Sequence, residues 1–326
     1  MQALQVQSLA PDYAGCVLTE RSAPIPGPDE VLIRVRAAAL NFPDLLMTRG
    51  EYQLKPALPF VPGMEAAGEV ISAPAASHFA TGDRVVAGTR LGGFAEYAAV
   101  PVANVRALPP HISFETGAAF SSAYLTAWVA LVELGQLKPG QWVLVHGAAG
   151  GVGLAAVDLA HALGARVIAA SASPAKLAVI EREYAPAATI VAQGRFREAI
   201  ARITGGALAD LVYDPVGGEV FDESTRCVAF GGKLLVVGFT SGRIPDISVN
   251  IPLIKGFSVV GVRAGEYARR FPHRGAAIRD ETLKMLVESR IKPRIDRLLP
   301  LSKWRDGFAA MANREAIGKI VLVPGS

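Results

Sequence analysis

Gly147, Gly150 and Gly153 stand three residues apart, where the apolar run Val143-Leu144-Val145-His146 gives way to the segment opening Gly151-Val152. Glycines at such places permit a tight turn and let backbone N–H groups approach a pyrophosphate, and a following helix adds partial positive charge at its N-terminus. Ala148, Gly150, Gly151 and Val152 are therefore expected to hold a dinucleotide. The spacing is G-x-x-G-x-x-G rather than the strict G-x-G-x-x-G, and a glycine run alone is more often a plain turn. Its context selects the phosphate reading: a strand before it, a helix after it, and a second strand, Val167 to Ala170, ending ~20 residues on.

The end of that second strand discriminates between cofactors. A site for NAD places Asp or Glu there to hold the ribose hydroxyls. This chain has Ser171, Ser173 and Lys176 instead, two hydroxyls and a cation that suit a ribose 2′-phosphate, so NADPH is expected. Ser173 is also placed to cap the next helix, with Pro174 at its first position, and the two roles are compatible. His146 reads as a strand-end histidine. The five histidines show no metal spacing, and Cys16 and Cys227 form neither a zinc ribbon nor a disulfide framework. No metal is expected.

The elements that must position these groups follow from the texture of the chain. With 326 residues, 51% hydrophobic and 19% charged, two packed domains with large cores are expected. Up to about Leu108, short alternating runs such as Val31–Arg36 and Asp83–Ala87 lie between Pro and Gly clusters, as in half-buried antiparallel strands. From Thr116 to Arg263, apolar runs alternate with helix-length segments, the pattern of βαβ units covered on both faces. A helix around Arg279–Ser289 and a final strand Gly318–Val323 then return to the first domain. The expected domains are thus 1–121 with 264–326, and 122–263. The apolar strand Phe257–Val262 is expected at a sheet edge, where it would pair two copies into a homodimer.

The composition also excludes classes. The greasiest region, Trp142 to Ser171, is broken by His146, Asp158, His161 and Arg166, so no membrane span is expected. The amino terminus shows no basic start followed by an apolar run, which leaves the cytoplasm as the expected location. The net charge of +4 is spread over scattered Lys and Arg, unlike a nucleic-acid-binding block.

Five motifs occur in one order: Pro62-Gly63-Met64-Glu65-Ala66-Ala67-Gly68, Gly82-Asp83-Arg84-Val85, Gly92-Gly93-Phe94-Ala95-Glu96-Tyr97, the glycine loop, and Asp214-Pro215-Val216-Gly217-Gly218. In this order the chain resembles the medium-chain dehydrogenases/reductases over essentially its whole length, and within them the zinc-free, zeta-crystallin-like quinone oxidoreductases. The resemblance implies an α/β protein: a GroES-like, β-rich catalytic domain into which a Rossmann doubly wound parallel-sheet domain is inserted. It implies Asn41, Tyr52 and Arg263 as the catalytic residues, for orientation and charge stabilisation. Asn41 and Thr126 would lie near the nicotinamide, and Val216, Gly238 and Phe239 would meet the cofactor. Where zinc alcohol dehydrogenases carry Cys and His ligands, this chain has Leu40-Asn41 and Met64, a poor zinc set.

Two departures qualify the match. Leu46 replaces a cleft tyrosine of some members, and Ile190-Val191-Ala192-Gln193 replaces a segment whose tyrosine contacts the 2′-phosphate, with Arg195 the candidate substitute. The expected activity is hydride transfer from NADPH to a quinone or related conjugated carbonyl. Its rivals are an enoyl reductase acting on 2-alkenals or acyl thioesters, for which Arg269, Arg270, Arg274 and Arg279 would line a basic groove, and a catalytically silent cofactor-binding protein.

Overall fold

The computed structural model describes residues 1–325 and divides into two compact units, 1–122 with 293 onward, and 123–292. The first unit is built on a sheet ordered Ile295–Pro300, Lys319–Val323, Glu30–Ala39, Ala66–Ser72, Arg84–Ala87, Val105–Ala107, with Tyr97–Pro101 also paired to Glu30–Ala39. Only the first of these pairings is parallel. Along Glu30–Ala39 the period of two sends Val31, Ile33 and Val35 into the core while Arg34 faces water. Leu4, Leu45, Phe94 and Phe308 complete that core.

One register in this sheet matters for the site. Val321 pairs with Ala39 and Leu322 with Ala38 in antiparallel fashion, and Leu40 N–H donates to Ile320 O at 2.9 Å. Carried one step further, the ladder sets Lys319 opposite Asn41, the residue before the helix Phe42–Arg49.

The second unit holds six parallel strands in the order Ala188–Val191, Arg166–Ser171, Trp142–Val145, Ala209–Asp214, Val228–Val236, Ser258–Gly261. In chain order this is 3-2-1-4-5-6, the doubly wound arrangement whose direction reverses between Trp142–Val145 and Ala209–Asp214. Val143–Val145 and Val167–Ala170 are buried on both faces, which is why they read as unbroken apolar runs.

Two expectations are corrected here, and a third meets a qualification. Residues 264–292 fall in the second unit rather than with the catalytic domain. Polar ties hold them there: Glu133 accepts from Tyr267 Oη at 2.9 Å and from Arg274 Nη2 at 2.6 Å, and Asp158 Oδ2 accepts from Lys292 N at 2.7 Å. Sequence periodicity could not see such ties. The helix expected around Arg279–Ser289 runs earlier, Pro272–Val287, with Pro272 at its first position. Finally, Phe114–Trp128 continues into a π-helical turn, Val129–Leu134, and these 21 residues are long and apolar enough to cross a bilayer. Glu115 and Glu133 stand only near its ends, and 61% of its apolar window is buried within the protein, as in a core helix.

Candidate active site

At the reversal point the strand Trp142–Val145 runs on to His146, whose N–H donates to Tyr213 O at 3.0 Å, and the chain then turns. Gly147 takes φ 56°, a left-handed conformation that costs glycine nothing, and it lies against Pro215 and Val216. Gly150 is extended and accepts the first helical hydrogen bond, from Leu154 N at 2.8 Å. The helix Gly151–Ala162 thus opens with N–H groups that have no intrahelical partner. Gly153 is required for another reason: a Cβ there would sit 2.1 Å from Gly147 O. This close approach seats the helix start directly on the turn.

Two further strand ends meet this loop. Ala148 N–H donates to Ala170 O at 3.0 Å, and past Arg166–Ser171 the Ser171 Oγ accepts from Ser173 N at 3.2 Å. Ser173 Oγ accepts from Lys176 N at 3.4 Å, capping the helix Pro174–Tyr184 as expected. Gln193 Nε2 donates to Ala172 O at 3.2 Å, and Arg195 is exposed. On the other side Asp214 Oδ1 accepts from Val216 N at 2.8 Å and Gly217 N at 3.0 Å, and Val237 N–H donates to Asp214 O. Gly238 and the exposed Phe239 follow. The structure therefore brings Ala148, Gly150, Gly151, Val152, Ser171, Ser173, Val216 and Gly238 to one end of the sheet.

His146 belongs to the core. It is fully buried, its Nε2 lies 2.8 Å from Ser224 Oγ, and its ring packs on Phe196. Burial pushes its pKa down to about 3, so the ring is neutral.

In the first unit Asn41 sits in a buried polar cluster that the sequence reading did not assemble. Lys319 Nζ donates to Asn41 Oδ1 at 2.7 Å, Leu40 O at 2.7 Å and Glu65 Oε1 at 3.0 Å. Asn41 Nδ2 donates to Glu65 Oε1 at 2.9 Å and to Ala39 O at 3.3 Å. Glu65 Oε2 accepts from Ser122 N at 2.7 Å. Asp44 accepts from Asn41 N at 2.9 Å and Gly63 N at 3.0 Å. Its burial raises its pKa to about 7 against the opposing pull of those N–H groups and of Lys319.

Asn41 was expected among the groups that stabilise charge, but both hydrogens of its amide are already used, so it has none to donate to an oxyanion. Lys319 and Asp44 escaped the sequence reading. The available signal was a lysine opening the otherwise apolar strand Lys319–Val323.

The remaining candidates are placed as follows. Tyr52 packs half-buried on the core of the first unit. Thr126 is half-buried in the helix Phe114–Trp128, on the stretch that belongs to the second unit, and Lys176 is half-buried in the first turn of its helix. Arg263 is exposed, with Nη1 4.0 Å from Glu266 Oε2. Arg269 and Arg270 also pair with Glu266, Arg274 pairs with Glu133 and Glu281, and Arg279 Nη1 donates to Gly275 O. Arg269, Arg270 and Arg274, suggested for a basic groove, are thus drawn to carboxylates.

Residues 27–110 match the family described as alcohol dehydrogenase GroES-like domain, and residues 151–277 match the one described as zinc-binding dehydrogenase. The quinone oxidoreductase-like protein 2 homolog of Nematostella vectensis is 36% identical over 301 residues, covering 91% of this chain and 82% of that protein. The chain belongs to the medium-chain dehydrogenase/reductase family. As such it is an oxidoreductase with a GroES-like domain and a Rossmann domain. A probable oxidoreductase from Mycobacterium abscessus superposes with a TM-score of 0.89 at 37% identity over 99% of both chains. The Escherichia coli quinone oxidoreductase complexed with NADPH does so at 0.89 and 27% identity, over 99% of this chain and 100% of that one.

The zinc in one family description does not fit the residues at hand. Beside Glu65 stand a thioether, Met64, and a carboxamide, Asn41, where Zn²⁺ takes thiolate, imidazole or carboxylate. The Lys319 ammonium already neutralises that carboxylate.

Proposed function

We propose that the protein is a zinc-independent NADPH oxidoreductase that delivers hydride to a quinone or a related conjugated carbonyl. One observation carries the cofactor choice: the strand Arg166–Ser171 ends in a hydroxyl, with no carboxylate there to repel a 2′-phosphate. In this reading Ala148, Gly150, Gly151 and Val152 hold the pyrophosphate. Ser171, Ser173 and Lys176, with the exposed Arg195, take the 2′-phosphate. Thr126, Val216, Gly238, Phe239 and Asn41 serve the nicotinamide end. The NADPH carried by the Escherichia coli structure supports the same choice. When bound, NADPH supplies the hydride. The chain orients the two reactants and, without a Lewis acid, steadies the negative charge that arises on the acceptor, a task we assign to Tyr52 and Arg263.

The test is oxidation of NADPH and NADH by chelator-treated protein against 1,4-benzoquinone, 9,10-phenanthrenequinone, a 2-alkenal and crotonyl-CoA. The expected result is turnover with NADPH and quinones that the chelator leaves unchanged. Preference for the alkenal or the thioester would make the protein an enoyl reductase. Cofactor binding without any oxidation would make it a silent binding module.

We also propose a homodimer formed through the edge strand Ser258–Gly261. Val259 on that strand is exposed, as are Phe230, Val249, Leu253 and Ile254 in nearby segments of the same unit, an amount of apolar surface that association would cover. Light scattering is expected to give twice the 34.2 kDa chain mass, and a monomeric mass would refute the dimer. The free, buried thiols Cys16 and Cys227 are compatible with the reducing cytoplasm, where we place the protein.

A further inference from the structure

We infer that Glu133 is a positioning residue for Arg263, which it fixes by holding the helix that follows that arginine. The inference rests on the oxidoreductase reading above, in which Arg263 steadies charge on the acceptor. Val236 pairs with Gly261, and Val262 N–H donates to Val236 O at 2.8 Å, so Arg263 and Gly238 leave the sheet at the same end. The Arg263 side chain is 61% exposed and 4.0 Å from Glu266, which lies nearer to Arg269 and Arg270, at 2.8 and 3.0 Å. The guanidinium therefore keeps donors for a ligand.

The helix Ala264–Arg270 has seven residues. Isolated helices of that length are not stable in water, so its place depends on tertiary anchors. One is Tyr267, a turn after Arg263: its N–H donates to Arg263 O at 2.9 Å, and its hydroxyl donates to Glu133 Oε2 at 2.9 Å. Glu133 Oε1 accepts from Arg274 Nη2 at 2.6 Å and Nε at 3.1 Å, which ties in the next helix, and from Trp128 Nε1 at 3.1 Å. These bonds leave 12% of the Glu133 side chain exposed. Trp128 and Glu133 are five residues apart, a spacing that an α-helix splays by roughly 140°. Here Gly135 N–H donates to Ala130 O, five residues back, at 2.7 Å, and the π-helical turn brings the pair together. Glu133 acts on the reaction through Tyr267 and Arg263.

The test compares wild type with Tyr267→Phe, Glu133→Ala and Glu133→Gln, each alone and combined with Arg263→Met, and with Arg263→Met itself. Circular dichroism confirms folding, NADPH fluorescence gives the cofactor Kd, and 9,10-phenanthrenequinone reduction gives kcat and KM. Glu133→Ala and Tyr267→Phe are each expected to lower kcat/KM by about tenfold, the worth of one hydrogen bond to a charged group, with the cofactor Kd unchanged. Glu133→Gln is expected to recover most of that loss, because its amide oxygen can serve Arg274 while its NH₂ donates to the Tyr267 hydroxyl. Beside Arg263→Met the losses are expected to vanish, since the residue they act through is gone.

The proposal is overturned if the losses persist in full beside Arg263→Met, or if the cofactor Kd moves with them. Either result would mean that Glu133 serves the fold rather than the arginine. It is equally overturned if Glu133→Ala keeps the wild-type kcat/KM, and should that variant fail to fold, Tyr267→Phe, which removes one hydroxyl, decides alone. Arg263→Met at the wild-type kcat/KM, or a wild type that reduces no acceptor, would instead sink the functional reading, and the positioning role falls with it.

Discussion

Replacing Gly153 by alanine is expected to weaken NADPH binding strongly and to lower the melting temperature. The new methyl would lie 2.1 Å from Gly147 O, 2.7 Å from Gly147 C and 3.1 Å from Ala148 Cα, all backbone atoms. Gly147 cannot retreat freely, because it lies against Pro215 and Val216 and holds φ 56°. The helix start must therefore move off the turn, which takes its free N–H groups away from the pyrophosphate position. Overpacking of this kind costs about 1–3 kcal/mol, or roughly 2–10 °C in a protein of this size. Fluorescence titration is expected to show a Kd raised by more than about a hundredfold, since several charge-assisted hydrogen bonds are displaced together. Gly150→Ala provides the control. Gly150 has a negative φ, and a Cβ there meets only Gly147 O, at 3.4 Å, so its melting temperature should match wild type. Wild-type affinity in Gly153→Ala would refute the phosphate role of the loop.

The second large effect concerns stability. Lys319→Met leaves Glu65, buried beside Asn41, without its cation. Removing one partner of a buried ion pair costs about 3–5 kcal/mol, whereas removing both is often nearly neutral. Lys319→Met should therefore unfold at a markedly lower urea concentration, and adding Glu65→Gln should restore most of the loss. A double variant no more stable than the single one would mean that Lys319 contributes by something other than neutralising Glu65. The pH dependence adds a sign. Asp44 has its folded pKa raised from 3.8 to about 7, chiefly by burial. Its contribution to stability is thus fully present below about pH 4 and is lost as pH rises through about 7. Lys319 opposes that rise, so in Lys319→Met the loss extends to higher pH.

How much of this was legible in the chain differs from residue to residue. Gly147, Gly150 and Gly153 announced a phosphate turn because their constraints are local: a left-handed φ, an extended cap and a contact within seven residues of chain. Ser173 before Pro174 announced a helix cap for the same reason. Lys319 announced no more than a cation opening an apolar strand, because its partners at 40, 41 and 65 are fixed by strand register, and register is a pairing between distant segments. Residues 264–292 were assigned to the wrong unit because the side chains that tie Tyr267, Arg274 and Lys292, namely Glu133 and Asp158, lie more than a hundred residues away.

The sequence by itself determined the fold class, the family, the glycine turn between a strand and a helix, and the missing acid at the second strand end. Each of these is written in residue types at short spacing, where backbone sterics and periodicity act directly. Only the tertiary structure decided what Asn41 can do. Its residue type permits both donation and acceptance, and the choice between them belongs to an ammonium that the sheet carries in from the other end of the chain.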